Sequence, residues 1–480
     1  MPRPYRSMLG SVCLGACAVV AGGHALIASG QTPAPRNLAN LTGLTELQKP
    51  VATNVQDVCG AFVAQSTSPN PILPDANGSN PQQRLFFNCR SMVQTANELE
   101  GSGIPANSLK ISNGQLRTGV QAIAPVQMNA QKQIGTEAAK INAVGARLLD
   151  LRGGARGFVV SDNGVTAPVV RTASARNGSL DGATGGGASA DDLGGRLGGF
   201  LNFAYSWGNV DQTTLADAYD YNNYSLLAGL DYRVSDAFVL GGAISYNDTR
   251  STYDNSLGKV DATTVGVAGY GTYYVGDWYA DGFIAYGSVD YDSERNIVIP
   301  TNSTVPGIGT KATASPKGDQ WSASIGLGRS FEQAPYSFTP SVRLNYIWVK
   351  NKAFTEDEPN SGLGLSVSER TIQSLQSSLG AKVSTTINSS AGVYVPYFTA
   401  QWLHEFKNDS PSILAKYVND PFTTGFFIPT ATPTRDYAAL ALGSSAVFKN
   451  DLSGFAQFSA ALGLKDATNY GLVIGLRKQF

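Results

Sequence analysis

Residues 470–480 read YGLVIGLRKQF, and the reading of this closing stretch decides the fold. Tyr470, Leu472, Ile474, Leu476 and Phe480 share one face of an extended chain, while Gly471, Gly475, Arg477 and Gln479 share the other. A period of two is the strand signal, because successive side chains point to opposite faces. Soluble domains rarely finish on an apolar strand that lacks a covering layer, so the question is what solvent this face meets.

Eleven further segments upstream carry the same signal. The twelve begin near Gly199, Tyr224, Ala237, Val260, Asp277, Gln320, Tyr336, Thr371, Gly392, Asp436, Leu452 and Ala467. In the segment from Tyr336, the residues Tyr336, Phe338, Val342, Leu344, Tyr346 and Trp348 oppose Ser337, Thr339, Ser341, Arg343 and Asn345. The connections alternate in length. Short turns at Ser235-Asp236, Gly276-Asp277, Glu332–Pro335, Asn388–Ala391 and Lys449–Asp451 face long polar loops at 210–222, 247–258, 292–318, 351–370 and 408–435. Aromatic residues gather near segment ends, as at Tyr273, Trp278, Trp348 and Trp402. Segments of roughly ten to fourteen residues are long enough to cross a tilted bilayer. Short turns on one side, long loops on the other and aromatic girdles are the marks of a membrane barrel. Closure also pairs every backbone donor and acceptor, which hydrocarbon requires. A two-sheet sandwich is the competing fold, but its strands are usually nearer five or six residues. The expectation is an all-β transmembrane barrel of twelve antiparallel strands over residues 196–480, preceded by a small α-helical N-terminal region.

Composition agrees with that class. Of 480 residues 15% are charged, 53 are glycine, and the net charge is −1, which gives no reason to expect nucleic acid as a partner. After the N-terminus no apolar run is long enough for a helical membrane span, a test that barrel strands escape. Residues 1–30 read as a secretory signal, with Arg3 and Arg6, an apolar stretch, and small residues offering cleavage after Ala25 or after Gly30. Leu14-Gly15-Ala16-Cys17 resembles a lipoprotein box, although the apolar run before Cys17 is short. Removal of the signal at Ala25 or Gly30 leaves Cys59 and Cys89, which in an exported chain most simply form one disulfide.

Residues 31–157 carry helical periodicity after a Pro/Asn tether. Leu44, Leu47, Val51, Val55, Val58 and Phe62 step by three or four, as do Leu85, Cys89, Met92, Ala96 and Leu99. The breaker-rich loop between them predicts an antiparallel hairpin stapled by Cys59 and Cys89. So small a bundle has little core of its own, which gives the staple a structural purpose. A third helix is predicted near 125–152, slim enough on one side to lie in a narrow channel. Residues 158–195 are a Gly/Ser-rich linker.

Three stretches carry a resemblance beyond the strand count: YVPYFTAQWLHEF (394–406), the terminal GLRKQF (475–480) and INAVGARLLDLRGG (141–154). With the twelve segments they resemble the autotransporter family, the first two its β-domain and the third its pore-threading linker helix. The resemblance implies an outer-membrane barrel that supports surface export of its own short N-terminal region. It also implies that Tyr470, Leu472, Ile474, Leu476 and Phe480 form the signal read by the barrel-assembly machinery, with Lys478 departing from the usual pattern, and that the Asn142 region is the place to look for self-cleavage. Two further departures stand out. About forty flexible residues separate the helix from the first strand, and the usual repetitive passenger is missing.

The residues give little sign of catalysis. His24 lies in the signal and His404 shares the apolar face of Trp402, while no G-x-S-x-G, H-E-x-x-H or metal-ligand spacing occurs. The reading is a non-enzyme without cofactor, cofactor-binding site or metal. Asp231, Arg233, Asp281, Arg343, Glu405 and Arg477 lie on the opposite strand faces and would line the lumen. Expected partners are outer-membrane lipid, the barrel-assembly machinery and a host or neighbouring cell surface, with the protein monomeric. Two alternatives stand beside the translocator: an anchor or adhesin, and a plugged pore whose helical domain stays periplasmic. Twelve strands put both barrel ends on the periplasmic side, so the N-terminal region starts there and reaches the surface only through the lumen.

Overall fold

The computed structural model describes residues 37–102, 106–125, 160–161, 164–165, 196–407, 409–448 and 452–479. The predicted helix near 125–152, the Asn142 region, Phe480 and the signal segment lie outside them.

Twelve long antiparallel strands form the barrel: β1 (Leu197–Val210), β2 (Tyr219–Ser235), β3 (Phe238–Tyr253), β4 (Gly258–Val275), β5 (Trp278–Ile299), β6 (Lys317–Arg329), β7 (Tyr336–Asn351), β8 (Arg370–Thr385), β9 (Gly392–Glu405), β10 (Asp436–Phe448), β11 (Leu452–Leu462) and β12 (Tyr470–Gln479). Each pairs with the next, and β12 returns to β1 with Leu472 opposite Tyr205 and Gly475 opposite Asn202, so the sheet closes. The quoted terminal stretch is therefore the closing strand.

Alternation places the apolar face outward. Ile244, Val265, Ile325 and Leu442 are each at least 60% exposed, on four different strands. A continuous band of this kind finds its solvent in hydrocarbon. Tyr205, Trp207, Phe458 and Tyr470 form an aromatic cluster across the β11, β12 and β1 junction, with Tyr205 and Trp207 stacked at 5.2 Å. Inside, large rings sit on glycines. Tyr270 on β4 is the register partner of Gly241 on β3, and a Cβ at Gly241 would stand 2.1 Å from the tyrosine ring. Phe200 over Gly229, Tyr279 over Gly328, Tyr397 over Gly443 and Phe455 over Gly475 repeat the relationship between directly paired residues.

The strands run from 10 to 22 residues, beyond the expected upper length. The extra length lies at the end carrying the long loops. β5 continues to Ile299 through what the sequence presents as loop and pairs there with the short strand Ile308–Ala314. Phe354–Thr355, Leu365–Val367, Ile413–Tyr417 and Gly425–Ile428 form a separate four-stranded sheet from the two largest loops.

Among the described residues three helices precede the barrel: α1 (Gln48–Gln65), α2 (Pro81–Leu99) and α3 (Asn113–Ile123). The α1–α2 hairpin forms as its periodicity predicts. Pro81 occupies the first turn of α2, where Asn80 caps by accepting from Gln82 N at 2.9 Å. The helix expected near 125–152 lies outside the described residues, and α3 is an additional one. It lies at 113–123, begun by a capping box in which Gln115 N donates to Ser112 Oγ and Ser112 N donates to Gln115 Oε1. Its short apolar set, Leu116, Val120 and Ile123, gives too few turns for a clear period.

The helices and barrel form one compact unit from Arg36 onward. The helical bundle, expected to have little core of its own, shares its core with the barrel loops. One apolar cluster holds Val51, Val58, Phe62, Leu85, Met92 and Leu116 from the helical segment together with Ile297, Ile299, Leu363, Tyr417, Phe426 and Ile428 from the loop end of the barrel. The loops provide the missing wall.

Candidate functional site

The candidate site is the lumen and the helical cap at its loop end. The inner face of the barrel is polar and mostly neutral: Asn223, Ser225, Asn247, Thr249, Thr264, Ser322 and Asn345 are all buried there. Thr249 Oγ1 donates to Asn223 Oδ1 at 2.9 Å, and Ser324 Oγ donates to Asn345 Oδ1 at 2.7 Å. Such a wall offers donors and acceptors to a polypeptide without binding one charge strongly.

The six lumen candidates fall on this inner face. Asp231 on β2 accepts from Arg477 on β12 at 3.3 Å, with half-buried Arg233 two residues further on. Asp281 on β5 is paired with Arg343 on β7, which also donates to Ser324 Oγ at 2.8 Å. Glu405 is 1% exposed. It accepts from Leu375 N at 2.9 Å, from Lys407 N at 3.0 Å and from Ser374 Oγ, so it braces the loop end of β8 and β9. His404 points outward beside Trp402 and Phe406, with Nδ1 2.8 Å from Asp436 Oδ1. On β12, Tyr470, Ile474 and Leu476 are exposed on the outer face.

The cap touches four loops. Leu47 N donates to Thr214 O at 3.0 Å, and Gln121 Nε2 donates to Asp217 Oδ1 at 2.7 Å, both in the β1–β2 loop. Asn302 N donates to Leu109 O at 2.8 Å, and Ser303 Oγ donates to Ser108 O at 2.8 Å, in the β5–β6 loop. Asn88 Nδ2 donates to Ser361 O at 2.9 Å in the β7–β8 loop. Asn54 Nδ2 donates to Thr424 O at 3.2 Å in the β9–β10 loop, and the Phe62 ring meets Phe422 edge-on at 5.2 Å.

One buried cation organises the junction. Arg295 rises on the inner face of β5 and is 1% exposed. Its Nε donates to Glu356 Oε1 at 3.0 Å, its Nη1 to Ala122 O and Ile123 O at 3.1 Å each, and its Nη2 to Leu363 O at 3.1 Å. It therefore caps the carbonyl end of α3, where a positive charge suits the helix dipole. Glu356 in turn accepts from Leu365 N at 2.8 Å. Nearby Glu358 accepts from the backbone of Asn360, Ser361 and Leu363. Burial pushes its carboxyl upward, but the hydrogen bonds from Thr310 and the Ser361 turn outweigh that and hold it below 4.5. Sequence reasoning missed both carboxylates and Arg295, because the acids are spaced as ordinary loop residues.

Asp217 faces the opposite situation. Desolvation pushes its carboxyl up to about 6, partly countered by hydrogen bonds from Gln212 and Gln121. Cys59 and Cys89, the expected disulfide pair, are both buried and stand here as free thiols. They are in contact across α1 and α2, and burial followed by the hydrogen bond with Cys59 raises the Cys89 thiol. Apolar neighbours exclude the solvent that would stabilise a thiolate at Cys89.

The family match decides the assignment: the autotransporter β-domain matches residues 199–459, which contain nine strands whole and most of two more. This chain belongs to the autotransporter family. The barrel of this autotransporter is an outer-membrane translocator for passenger export. Among curated proteins it is similar to Lipase 1 of Photorhabdus luminescens, 26% identical over 263 residues. That match takes in 54% of this chain and 38% of the lipase, so the chain spans well under half of that relative. Among solved structures it is similar to the translocator domain of NalP from Neisseria meningitidis, at 18% identity and a TM-score of 0.48, over 60% of this chain and 90% of that one. The β-domain of the Bordetella autotransporter BrkA gives 18% identity and a TM-score of 0.43, over 59% and 100% of the two chains.

Proposed function

We propose that the barrel exports the autotransporter's own residues 37–125 and retains them on the cell surface as a cap on its loop end. The observation that carries this reading is the separation of two chain positions. Ile123 is held by Arg295 at the loop end, whereas β1 starts at Leu197 beside the β2–β3 turn at the other end. The intervening chain must cover the height of the barrel. Residues 158–195 are Gly/Ser-rich and polar, a composition that hydrocarbon excludes, so in this reading the chain passes through the lumen. The neutral inner wall suits that passage.

Residues 1–30 act as the secretory signal in this reading, and the outward face of β12 with Phe480 is presented to the barrel-assembly machinery. The protein is a monomer in outer-membrane lipid. In this reading Cys59 and Cys89 cross as thiols and close into a disulfide after export, an extracellular thiol oxidant taking up the two electrons and two protons, since an oxidised hairpin is too wide for a lumen of this size. The chain acts as a transporter rather than a catalyst, and His404 serves at the membrane interface. A second reading, an adhesin, draws on the same cap and loops, which together present one continuous surface to a host or neighbouring cell.

Protease shaving of intact cells carrying an epitope tag at Asn77, an exposed loop position, tests export. Digestion of the tag with an intact outer membrane supports surface display. Protection until the membrane is permeabilised places the cap in the periplasm and overturns the reading.

A further inference from the structure

We propose that the barrel loops are the folding template of the N-terminal segment, so that residues 37–125 acquire their structure only when seated on them. The apolar cluster is the first argument. Twelve of its thirty-three buried residues come from the barrel side, and these are not peripheral: Ile297, Ile299, Leu363, Leu365 and Ile428 are each 0% exposed. Without the loops the inner faces of α1, α2 and α3 would face water, while the loop residues would be equally uncovered.

The polar contacts give the second argument. Asn54, Asn88 and Gln121 are buried on helices and direct their amide donors to Thr424, Ser361 and Asp217 of three different loops. Buried amides left without these acceptors would oppose the helical packing. The α3 C-terminus relies on Arg295 for two of its carbonyls. Close approach gives the third. A Cβ on Gly119 of α3 would lie 2.8 Å from Ile299 of β5, so the helix face is shaped to the strand extension.

On the export reading, this template sets an order of events. The segment crosses the membrane without a finished core and folds at the loop end, and its folding there opposes return through the lumen. It also predicts non-covalent retention of the cap by the barrel.

The test uses the purified full chain in detergent, where the outcome is independent of which side of the membrane the cap occupies. After reduction, reaction of Cys59 and Cys89 with a bulky polyethylene-glycol maleimide is timed, and barrel integrity is read by heat-modifiable gel mobility. The wild type should react at least about a hundredfold more slowly than the urea-unfolded chain, since local opening governs access. Ile428→Asp in the β9–β10 loop and Gly119→Val in α3 should each bring labelling near the unfolded rate while the barrel still migrates as folded. Amide hydrogen exchange across α1 and α2 should rise in the same two variants. Thiols and helix amides that stay protected in Ile428→Asp would overturn the template, because the segment would then hold its fold without its loop wall. Tag protection on intact cells would overturn export alone and leave this result standing.

Discussion

Arg295 of β5 and Glu356 of the β7–β8 loop form a buried ion pair at the point where α3 ends. The pair does more than join two loops, since the same guanidinium holds the carbonyls of Ala122, Ile123 and Leu363. One side chain thus links strand, loop and helix, and the alignment of the cap depends on its charge being matched.

Removing one partner leaves the other charge buried. Arg295→Met is expected to destabilise the cap by about 3–5 kcal/mol, with little change in the barrel. Adding Glu356→Gln should recover part of that loss by removing the unpaired carboxylate. Urea titration followed separately by hydrogen exchange in α1–α3 and by barrel gel mobility measures both effects.

Asp217 makes cap docking sensitive to pH. Its carboxyl is raised to about 6 from 3.8, so the folded state favours the protonated form. That contribution is complete below the unfolded value and is lost as pH rises through about 6, an effect on the order of 2–3 kcal/mol. Glu358 has the opposite sign, being held low, and its contribution disappears as pH falls below 4.5. Cap stability should therefore be greatest near the unfolded carboxylate values, at about pH 4, and decline as pH rises from there to about 6. Asp217→Asn should remove the loss on the neutral side in a pH series of thermal unfolding.

Gly241 and Tyr270 test the fit of ring to glycine. Gly241→Ala places a methyl group where the Tyr270 ring lies and should lower barrel stability by about 1–3 kcal/mol through overpacking. Tyr270→Ala in the same chain should relieve the clash, giving a favourable coupling in a double-mutant cycle. The fraction of heat-modifiable folded barrel across a denaturant series is the measurement.

The thiol pair gives a readout of departure from the reducing cytoplasm. Protein recovered from the outer membrane should lack free thiol at Cys59 and Cys89 and weigh two hydrogens less than the reduced chain. Protein held in the cytoplasm should keep both thiols. Intact-mass analysis of the two fractions checks this.

Much of the fold was legible because it rests on local pattern. Alternation in segments such as Tyr336–Trp348 identifies both the strand and the face that meets lipid. The α1–α2 hairpin was legible for the same reason, since Val51, Val55, Val58 and Phe62 report their own shared side. α3 was less visible, although the Ser112 and Gln115 capping pair marks its start. The lumen candidates were found by parity alone, but parity could not tell that Glu405 braces a strand end or that Arg477 meets Asp231 across the closure.

The sequence by itself determined a twelve-stranded barrel, the outward side of each strand and an α-helical segment ahead of it, because periods of two and of three to four are written in neighbouring residues. Only the tertiary structure decided where that segment sits and what completes its core. Ile299, Leu363 and Ile428 lie in stretches that read as polar loops, and their partners are more than a hundred residues away in the chain. Burial between such distant residues leaves no local period, and the match between Arg295, Glu356 and the end of α3 exists only once the barrel has brought its loops together.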